Sequence, residues 1–249
     1  MAKIRLNAIS TLAPEKASKK EYLEMTQKLA AEIGIMSEML YASKKHSVLV
    51  VLQGMDASGK DGVTKNVFSD CPALCIDAHA FKKPTEEEMA HDFLWRVHRY
   101  SPAKGLIKIF IRSHYEDVLI QRVHKWIDDR RAAMRMDAIN HYERLLVEDN
   151  GTLILKFYLH LSRERQLEKL EERRVVPEKQ WKYNPGDFEE SKRWDDYRKC
   201  YEDAINKSEI PWHIVPADKR WYRNYFVADV VHRELKKLDL AYPTLPDGG

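Results

Sequence analysis

The residues of this chain best suited to chemistry form the glycine-rich stretch Gly54-Met-Asp-Ala-Ser-Gly-Lys-Asp-Gly62, directly after the apolar run Val48–Gln53. A buried strand, a glycine-rich turn and a following helix, here opening near Val63, bind phosphate through backbone N–H groups and the positive helix end. Lys60 is predicted to contact the transferred phosphoryl group, where negative charge accumulates. The predicted phosphate-binding residues of the loop are Gly54, Ala57, Ser58, Gly59, Lys60 and Gly62.

Two carboxylates lie in this loop: Asp56 within it, and Asp61 directly after the lysine, where Ser or Thr usually holds magnesium. Fixed negative charges beside phosphate are favourable when metal ions bridge the two. The sequence therefore predicts a metal site at Asp56 and Asp61 for Mg²⁺, with Mn²⁺ as an alternative. Asp56 would in addition orient or deprotonate the acceptor oxygen. The other explanation for both residues is a structural role, as a helix N-cap or a solvated loop residue.

A second cluster of charged residues follows the predicted strand Ile107–Ile111. Arg112 leaves the strand at its carboxyl end, where ligands collect in open α/β sheets, and is predicted to neutralise phosphate oxygens. Glu116 and Asp117 lie on the first turn of the next helix and are predicted to bind metal or to position the acceptor. Carboxylates are also favoured there by the helix dipole alone, which is the alternative explanation.

Residues 163–209 are predicted to form a movable helical lid. A highly charged helix spans Arg163 to Arg174, and a second helix extends from about Phe188 to Lys207. Kinases close such lids to exclude water and to bring in cations, although an ordinary packed helical pair is the alternative. The predicted lid cations are Arg173, Arg174, Lys182 and Arg193, with a solvated helix face as the alternative explanation. The predicted packing stripe of the second helix, preferred over a base-stacking platform, consists of Trp194, Tyr197 and Tyr201.

The elements that must position these residues are predicted from hydrophobic patterning. Five apolar runs separated by helical patterns indicate a mostly parallel sheet covered on both faces, and hence a three-layer α/β/α fold. The predicted strands are Val48–Gln53, Leu74–Asp77, Ile107–Ile111, Leu153–Leu159 and Trp212–Val215. We expect a single domain over residues 1–249, with an N-terminal helical segment at about 16–46 and a loose tail after Leu240.

Two further helices are predicted between the second and fourth strands. Thr85-Glu-Glu-Glu88 is a capping box, which predicts a helix that opens there and runs through Val97. Another helix is predicted to begin near His114. Its predicted apolar face consists of Val118, Leu119, Val123 and Trp126.

Composition limits the class of protein. The 42 basic and 39 acidic residues give a net charge of +3, too balanced for a general nucleic-acid binder, but compatible with a local basic track. Candidates for such a track are Lys82, Lys83, Lys108, Arg122, Lys125, Arg130 and Arg131, with a dispersed set of solvated charges as the alternative. The candidates for binding a phosphorylated ligand next to the loop are Lys65, Lys82 and Lys83. No apolar run approaches the length of a membrane-spanning helix, the first residues lack the apolar core of a secretory signal, and the three cysteines show no metal or redox spacing. We therefore expect a cytoplasmic protein without nucleic-acid or membrane partners.

Together, these motifs resemble those of polyphosphate kinase family 2, over about residues 45 to 240. Besides the loop, the resemblance rests on Phe81-Lys-Lys-Pro-Thr85, His91-Asp-Phe-Leu-Trp-Arg96, Ile111-Arg-Ser-His-Tyr-Glu-Asp117, Trp181-Lys182, Arg193-Trp194, Asp196-Tyr197, Pro211-Trp212 and Pro216-Ala-Asp-Lys219. The His-Tyr-Glu-Asp sequence at 114–117 is similar to class III of that family, which is associated with phosphorylation of both AMP and ADP.

The resemblance implies a phosphate-loop kinase fold with a lid, and magnesium-dependent transfer between inorganic polyphosphate and AMP, ADP or ATP. It also implies a homo-oligomer, either a homodimer or a homotetramer. By the same resemblance, the functional residues are Asp56, Lys60 and Asp61 in the first motif, Arg112 in the second and Arg173 in the lid.

The chain departs from the family pattern at Ile111, where Asp or Asn is usual and where isoleucine cannot bind metal. Either Glu116 or Asp117 takes over the acidic role, or Asp56 and Asp61 suffice.

Two other functions are compatible with these residues. An ATP-dependent kinase of nucleotides or small metabolites would be active with ATP and inactive with polyphosphate as donor. A non-catalytic polyphosphate- or nucleotide-binding module, suggested by Ile111, would bind ligand without turnover. The combination of Lys60, Arg112 and Arg173 favours an enzyme.

Overall fold

A five-stranded parallel sheet forms the centre of the computed structural model, which describes residues 3–245. The strand order is β2-β3-β1-β4-β5, so the two strands that carry the predicted motifs, β1 and β3, are neighbours. The strands are β1 (Ser47–Gln53), β2 (Ile76–Ala80), β3 (Ile107–Ile111), β4 (Thr152–His160) and β5 (Trp212–Pro216).

Helices connect the strands and cover the sheet. The α-helices are α1 (Lys19–Ser43), α2 (Lys60–Val67), α3 (Glu86–Ala90), α4 (Trp95–His98), α5 (Ile120–Val123), α6 (Asp129–Glu148), α7 (Arg163–Val175), α8 (Pro185–Ser191), α9 (Trp194–Lys207) and α10 (Arg220–Leu235). Short 3-10 helices span Leu6–Ala8, His114–Val118, Pro177–Lys182 and Lys236–Leu238. Within residues 3–245, no helix combines the length and the apolar character needed to cross a bilayer.

The predicted three-layer α/β/α fold is confirmed by two separate apolar cores, one on each face of the sheet. Alternate residues of β1 belong to different cores, because successive side chains of a strand point to opposite faces. Val50 packs with Ile33 of α1 and Val231 of α10 on one face. On the other face, Val51 belongs to the core that contains Met136 of α6. All seven residues of β1 are buried, which explains why its apolar run was the clearest strand signal.

The second predicted strand was wrong at its boundaries. Leu74 is 73% exposed, and Cys75 N donates to Pro72 O at 2.9 Å in a turn that precedes β2. The strand itself begins at Ile76 and ends at Ala80. It pairs only with β3 and lies at the edge of the sheet, where polar residues such as Asp77 and His79 are tolerated. An apolar run is therefore a poor marker of this strand.

The predicted capping box is confirmed, but the helix that it opens is short. Thr85 Oγ1 accepts from Glu88 N at 3.1 Å, and Glu88 Oε2 accepts from Thr85 N at 2.9 Å. The backbone becomes extended at His91, and Asp92 Oδ1 then accepts from Trp95 N at 3.1 Å. Asp92 thus begins a separate turn of helix, so the predicted continuous helix through Val97 was wrong.

The helix predicted from His114 is also interrupted. A 3-10 helix at His114–Val118 and the short α5 are separated at Leu119, whose φ of −105° and ψ of −84° are not helical. Trp126 lies beyond α5 and is 65% exposed, so its place on the predicted apolar face was wrong. The long helix α6, which covers the sheet, was not predicted.

The terminal segments and the lid agree with the sequence in outline. Helix α1 lies inside the predicted N-terminal segment, and Ser18 caps it. The second lid helix is divided into α8 and α9, with Lys192 and Arg193 at the junction. Residues 241–245 contain neither helix nor strand, and the rest of the predicted loose tail lies outside the described residues.

Candidate active site

The phosphate loop connects β1 to α2 and has little room for other residues. Gly59 has a φ of +93°, and a Cβ there would lie 1.9 Å from Nη1 of Arg223. At Gly54, with a φ of +150°, a Cβ would lie 2.8 Å from the backbone oxygen of Leu159. Ala57 adopts a left-handed φ of 63°, which is unfavourable for a residue with a Cβ. The loop conformation is thus imposed by its surroundings.

Lys60 is the first residue of α2 and is only 8% exposed. Its Nζ donates to Gly54 O at 2.7 Å and to Met55 O at 3.1 Å. Burial, followed by the charge of the nearby Arg112, lowers the pKa of Lys60 to about 8 against the opposing effect of Asp56. A desolvated ammonium inside a phosphate loop interacts strongly with anions, because little water competes with them.

Asp56 and Arg112 form an ion pair at the carboxyl ends of β1 and β3, with 2.6 Å between Oδ1 and Nη2. Burial alone would raise the pKa of Asp56, but Lys60, Arg112 and Arg173 outweigh it and lower that pKa. The carboxylate is therefore a weak base, which favours orientation of the acceptor over its deprotonation.

Arg112 has a left-handed φ of 61°, and its backbone N donates to Leu52 O at 3.0 Å. Non-glycine residues in this conformation persist where the surrounding structure fixes them, often at functional sites. The Asp56–Arg112 pair is consequently held on two neighbouring central strands.

The adjacent residues Glu116 and Asp117 have different surroundings. In the amide orientation that satisfies its neighbours, Gln53 donates to Glu116 Oε1 at 3.0 Å, and Glu116 shares the electrostatic environment of Lys60, Arg112 and Asp56. Burial, against the effect of Arg112, raises the pKa of Glu116.

Asp117 instead belongs to a structural ion cluster. It accepts from Arg96 Nη2 at 3.3 Å and from Gln121 Nε2 at 2.6 Å. Arg135 Nη1 lies 3.9 Å from the Oδ1 atom of Asp117. Both carboxylate oxygens of Asp117 already have partners. Glu116 is therefore the better candidate for the acidic role that Ile111 cannot perform.

The lid is closed over the loop. Lys182 Nζ lies 3.0 Å from Asp61 Oδ2, and Arg173 Nη1 lies 2.6 Å from Asp187 Oδ2 within the lid. Against the effect of burial, Lys182 lowers the pKa of Asp61, and the charge of Arg173 lowers the pKa values of Asp61 and Asp56 to a smaller extent. Arg173 lines the basic cavity together with both carboxylates. The Lys182–Asp61 pair is partly exposed and contributes at most about 1 kcal/mol, which allows the lid to open.

Two cavities open on this site and differ in character. The first, of about 330 Å³ and here called the aromatic cavity, is lined by five aromatic residues together with apolar, polar and charged ones. Its aromatic residues are Phe81, Trp126, Trp194, Tyr197 and Tyr201. Trp194 and Tyr201 are also buried in the core, as the packing stripe predicts, so the two roles coexist.

The second cavity, of about 720 Å³ and here called the basic cavity, is lined by nine Lys or Arg and five Asp or Glu. Its cations are Lys60, Lys82, Arg112, Lys169, Arg173, Lys179, Lys182, Arg220 and Arg223. The two cavities share Asp56, Phe81, Lys82 and Arg112, so they meet at the Asp56–Arg112 pair.

Some predicted binding residues lie elsewhere. Lys83 lines only the aromatic cavity. Lys65 and Arg193 are exposed and line neither cavity, so the structure does not bring them to the site. Ser58 is fully buried, and its Oγ lies 3.5 Å from Lys60 Nζ. Ser58 therefore supports the lysine from inside the loop.

Four basic residues of the basic cavity were missed by the sequence reasoning: Lys169, Lys179, Arg220 and Arg223. Arg223 is 2% exposed and donates from Nη1 to Ser58 O at 3.0 Å, and burial lowers its pKa to about 10. Burial likewise lowers the pKa of Lys169 to about 8, with Arg220 as the next cause. Helix α10 carries Arg220 and Arg223 and follows the carboxyl end of β5, at the same sheet edge as the loop. The position of these two arginines shortly after a predicted strand was therefore the sequence signal that could have located them.

The loop carboxylates fit a divalent cation that shares its coordination with phosphate. No group of three or more His, Cys, Asp or Glu is arranged to hold a metal in the part of the chain that the structure describes. Mg²⁺, however, usually keeps several waters and is bound by one or two carboxylates together with substrate phosphates. Asp56 and Asp61, on either side of Lys60, provide such a pair.

A parallel sheet with a phosphate loop between β1 and α2, closed by a helical lid that carries cations, defines the class of phosphate-loop kinases. Comparison with known proteins narrows the class. Residues 16–243 match the family model described as Polyphosphate kinase 2, and the chain belongs to that family.

Similar proteins agree with this assignment. The AMP/ADP-polyphosphate phosphotransferase of Meiothermus ruber is 43% identical over 90% of this chain and 85% of its own length. The ADP-polyphosphate phosphotransferase of Rhodopseudomonas palustris is 37% identical over 91% and 83%, respectively. The crystal structure of polyphosphate kinase 2 from Arthrobacter aurescens TC1 has a TM-score of 0.96 at 34% identity, covering 100% of this chain and 91% of that one. The family resemblance of the motifs is confirmed.

Proposed function

We propose that this protein transfers phosphoryl groups reversibly between inorganic polyphosphate and the nucleotides AMP and ADP. The observation that carries the proposal is the meeting of the aromatic and basic cavities at Asp56 and Arg112. A nucleotide whose base occupies one cavity and a polyanion that occupies the other would present their phosphates to each other at this pair.

The aromatic cavity is suited to the nucleoside of the acceptor. Stacking of a base on aromatic side chains contributes about 1–3 kcal/mol per base and tolerates different bases. Trp126 and Tyr197 offer such surfaces, and Asp117 and Gln121 supply polar atoms at the same wall. Lys82, which lines both cavities, and Lys83 would bind the nucleotide phosphates.

The basic cavity is suited to polyphosphate. Its excess of cations includes Lys169 and Arg223, whose pKa values are lowered because burial and neighbouring cations disfavour their charge. A bound polyanion places negative charge beside these side chains, which favours their charged forms and offsets both the cost of burial and the repulsion between neighbouring cations.

Transfer itself requires positioning and charge stabilisation more than proton chemistry. The acceptor oxygen of AMP or ADP belongs to a phosphate that is already ionised at neutral pH, so no general base is needed. Lys60, Arg112 and Arg173 stabilise the phosphoryl oxygens, Asp56 fixes Arg112, and Glu116 supplies the acidic role of the second motif. A divalent cation held by Asp56 and Asp61, which we propose to be Mg²⁺ with Mn²⁺ as an alternative, would supply further positive charge to the phosphates. The closed lid keeps water from competing as acceptor.

The test is turnover of purified protein with magnesium, long-chain polyphosphate and either AMP or ADP. Formation of ADP from AMP and of ATP from ADP is expected, since the Meiothermus relative is named for both acceptors. Activity with ATP as the only donor would instead support a metabolite kinase, and binding without turnover would support a non-catalytic module. Mass measurement of the same sample would test the proposed homo-oligomer.

Two variants then test which ligand each cavity binds. Trp126→Ala removes an exposed aromatic wall and should raise the KM for AMP about tenfold, equivalent to about 1.4 kcal/mol of stacking, with the polyphosphate KM unchanged. Lys169→Met removes a cation of the basic cavity and should raise the KM for polyphosphate while leaving the KM for AMP unchanged. Equal effects of both variants on both substrates would contradict the division of the cavities.

The pKa of Lys60 predicts an asymmetric pH profile. A value of about 8, below the ordinary 10.5, means that the free protein loses this cation as the pH rises through 8. We therefore expect kcat/KM for polyphosphate to be constant up to about pH 7, to reach half of that value near pH 8 and to fall further above it. Bound phosphate favours the ammonium and raises its pKa, so kcat should fall only at a higher pH. A kcat/KM that stays constant to about pH 9.5 would contradict this role of Lys60.

A further inference from the structure

A buried ionic network lies beneath the second motif and outside both cavities. Lys156 of β4 donates from Nζ to Glu143 Oε2 at 2.6 Å and to Tyr115 Oη at 2.7 Å. Tyr115 Oη in turn donates to Glu143 Oε1 at 2.9 Å. The three residues are at most 1% exposed, so the lysine and the carboxylate are fully removed from water.

Stability alone does not explain such a network. Removing two charges from water is about as unfavourable as their attraction is favourable, and well-packed apolar residues often replace a buried ion pair without loss of stability. Such a pair can instead fix one arrangement of the elements around it, because any shift leaves a buried charge without its partner. Here those elements are α6, β4 and the 3-10 helix His114–Val118.

The network has a direct connection to the active site. Tyr115 is the residue before Glu116, whose carboxylate lines the aromatic cavity beside Arg112. On the far side, Tyr115 Oη lies 3.1 Å from Ser208 Oγ, which also accepts from Trp212 Nε1 at 2.9 Å. Ser208 directly follows α9, the last helix of the lid. The ring of Tyr115 is thus held between the sheet and the end of the lid.

We propose that Tyr115, held by Lys156 and Glu143, is a positioning residue that sets the place of the Glu116 carboxylate in the active site. The inference rests on the role proposed above for Glu116. The hydroxyl of Tyr115 is the only side-chain group of this residue that the network bonds, so its removal isolates the effect.

Tyr115→Phe tests the proposal because the ring and its packing remain. We expect kcat with AMP to fall about tenfold and the KM for polyphosphate to stay within about twofold, since only Glu116 is displaced. The matched control is Tyr142→Phe. Tyr142 is also buried, and its Oη bonds Ser101 Oγ at 2.8 Å rather than the network. The control should lose similar thermal stability but keep its kcat.

A double-mutant cycle with Glu116→Gln decides whether Tyr115 acts through Glu116. If it does, Tyr115→Phe should add little to the loss already caused by Glu116→Gln. If instead the kcat losses of the two single variants multiply in the double variant, Tyr115 has a separate, structural role and the inference is overturned. If Glu116→Gln leaves kcat unchanged while the wild-type protein is active, the role of Glu116 is wrong and the inference fails with it. An inactive wild-type protein would contradict the proposed function itself.

A second variant guards against misfolding of the first. Lys156→Met combined with Glu143→Leu replaces the charge pair by apolar groups of similar size. It should have a higher Tm than either single substitution, which would leave one buried charge unpaired, although Tyr115 Oη and His114 Nε2 lose their contact with Glu143. The proposal expects this protein to have a lowered kcat of the same order as Tyr115→Phe. A stable double variant with wild-type kcat would overturn it.

Discussion

Replacement of Lys60 by methionine should lower kcat by about 10³-fold, a typical effect of removing a pre-organised charge from the transferred group. The ammonium lies inside the phosphate loop, within the electrostatic reach of Arg112, Asp56 and Glu116. Because it acts where charge accumulates during transfer, the loss should appear in kcat more than in the KM for AMP. Steady-state kinetics with saturating polyphosphate would measure both.

The same substitution should leave the fold intact. The pKa of Lys60 is about 8 against an ordinary 10.5, so at pH 7 the folded state holds the charged form at a disadvantage of about 3 kcal/mol. Methionine removes this unfavourable charge, while the carbonyls of Gly54 and Met55 lose a donor, and the two effects oppose each other. The Tm should therefore change little.

The control is Lys28→Met, at an exposed position of α1. It should have the kcat of the wild-type protein, and it removes the same formal charge. A folded Lys60→Met protein with undiminished turnover would contradict the assignment of the loop as the catalytic phosphate site.

The phosphate loop was predictable because its parts are contiguous in the chain. Strand β1, the glycines and α2 occupy one short stretch, and each step follows from local rules of burial, turn formation and helix initiation. Arg112 was predictable for a related reason, since the carboxyl end of a neighbouring parallel strand lies at the same edge of the sheet.

The different environments of Glu116 and Asp117 were not predictable from their neighbours in sequence. The distinction depends on Arg96 and Arg135, which reach Asp117 from α4 and α6, 21 and 18 residues away in the chain. Sequence alone left these two carboxylates equivalent. Both line the aromatic cavity, but only the tertiary arrangement pairs Asp117 with arginines and places Glu116 in the electrostatic environment of Lys60 and Arg112.

The prediction of two continuous helices, one from Thr85 and one from His114, was wrong for a local reason. Asp92 caps a new turn after α3, and Leu119 adopts a non-helical conformation before α5. Apolar periodicity continues across such breaks because Val97, Val118 and Leu119 on the later turns belong to the same core. Met89 and Trp126 matched the periodicity and are nevertheless exposed, so the pattern located neither the helix ends nor every buried residue.

Replacement of Arg173 by methionine should lower kcat by about 10²- to 10³-fold, somewhat less than the gain of 10³–10⁵ that an arginine supplied to a phosphoryl group can give. Arg173 belongs to the lid, yet it lines the basic cavity together with Asp56, Lys60 and Asp61 of the loop. It is therefore positioned to stabilise phosphate oxygens only when the lid is closed. The KM for AMP should change little, because the aromatic cavity does not contain this residue.

Two variants separate this charge effect from damage to the lid. Arg174→Met is the matched control: Arg174 is the next residue of α7, is 62% exposed and pairs with Glu171 at 2.6 Å on the outer surface. It should leave kcat unchanged. Arg173→Met combined with Asp187→Asn also removes the carboxylate that Arg173 would leave unpaired in the lid.

If the arginine acts on the phosphoryl group, activity should stay low in this double variant, because the missing cation is not restored. Recovery of activity there would mean that the unpaired Asp187 had held the lid in an unproductive position. Arg173 would then stabilise the closed lid, and Lys60 and Arg112 would remain the cations that act on the transferred phosphoryl group.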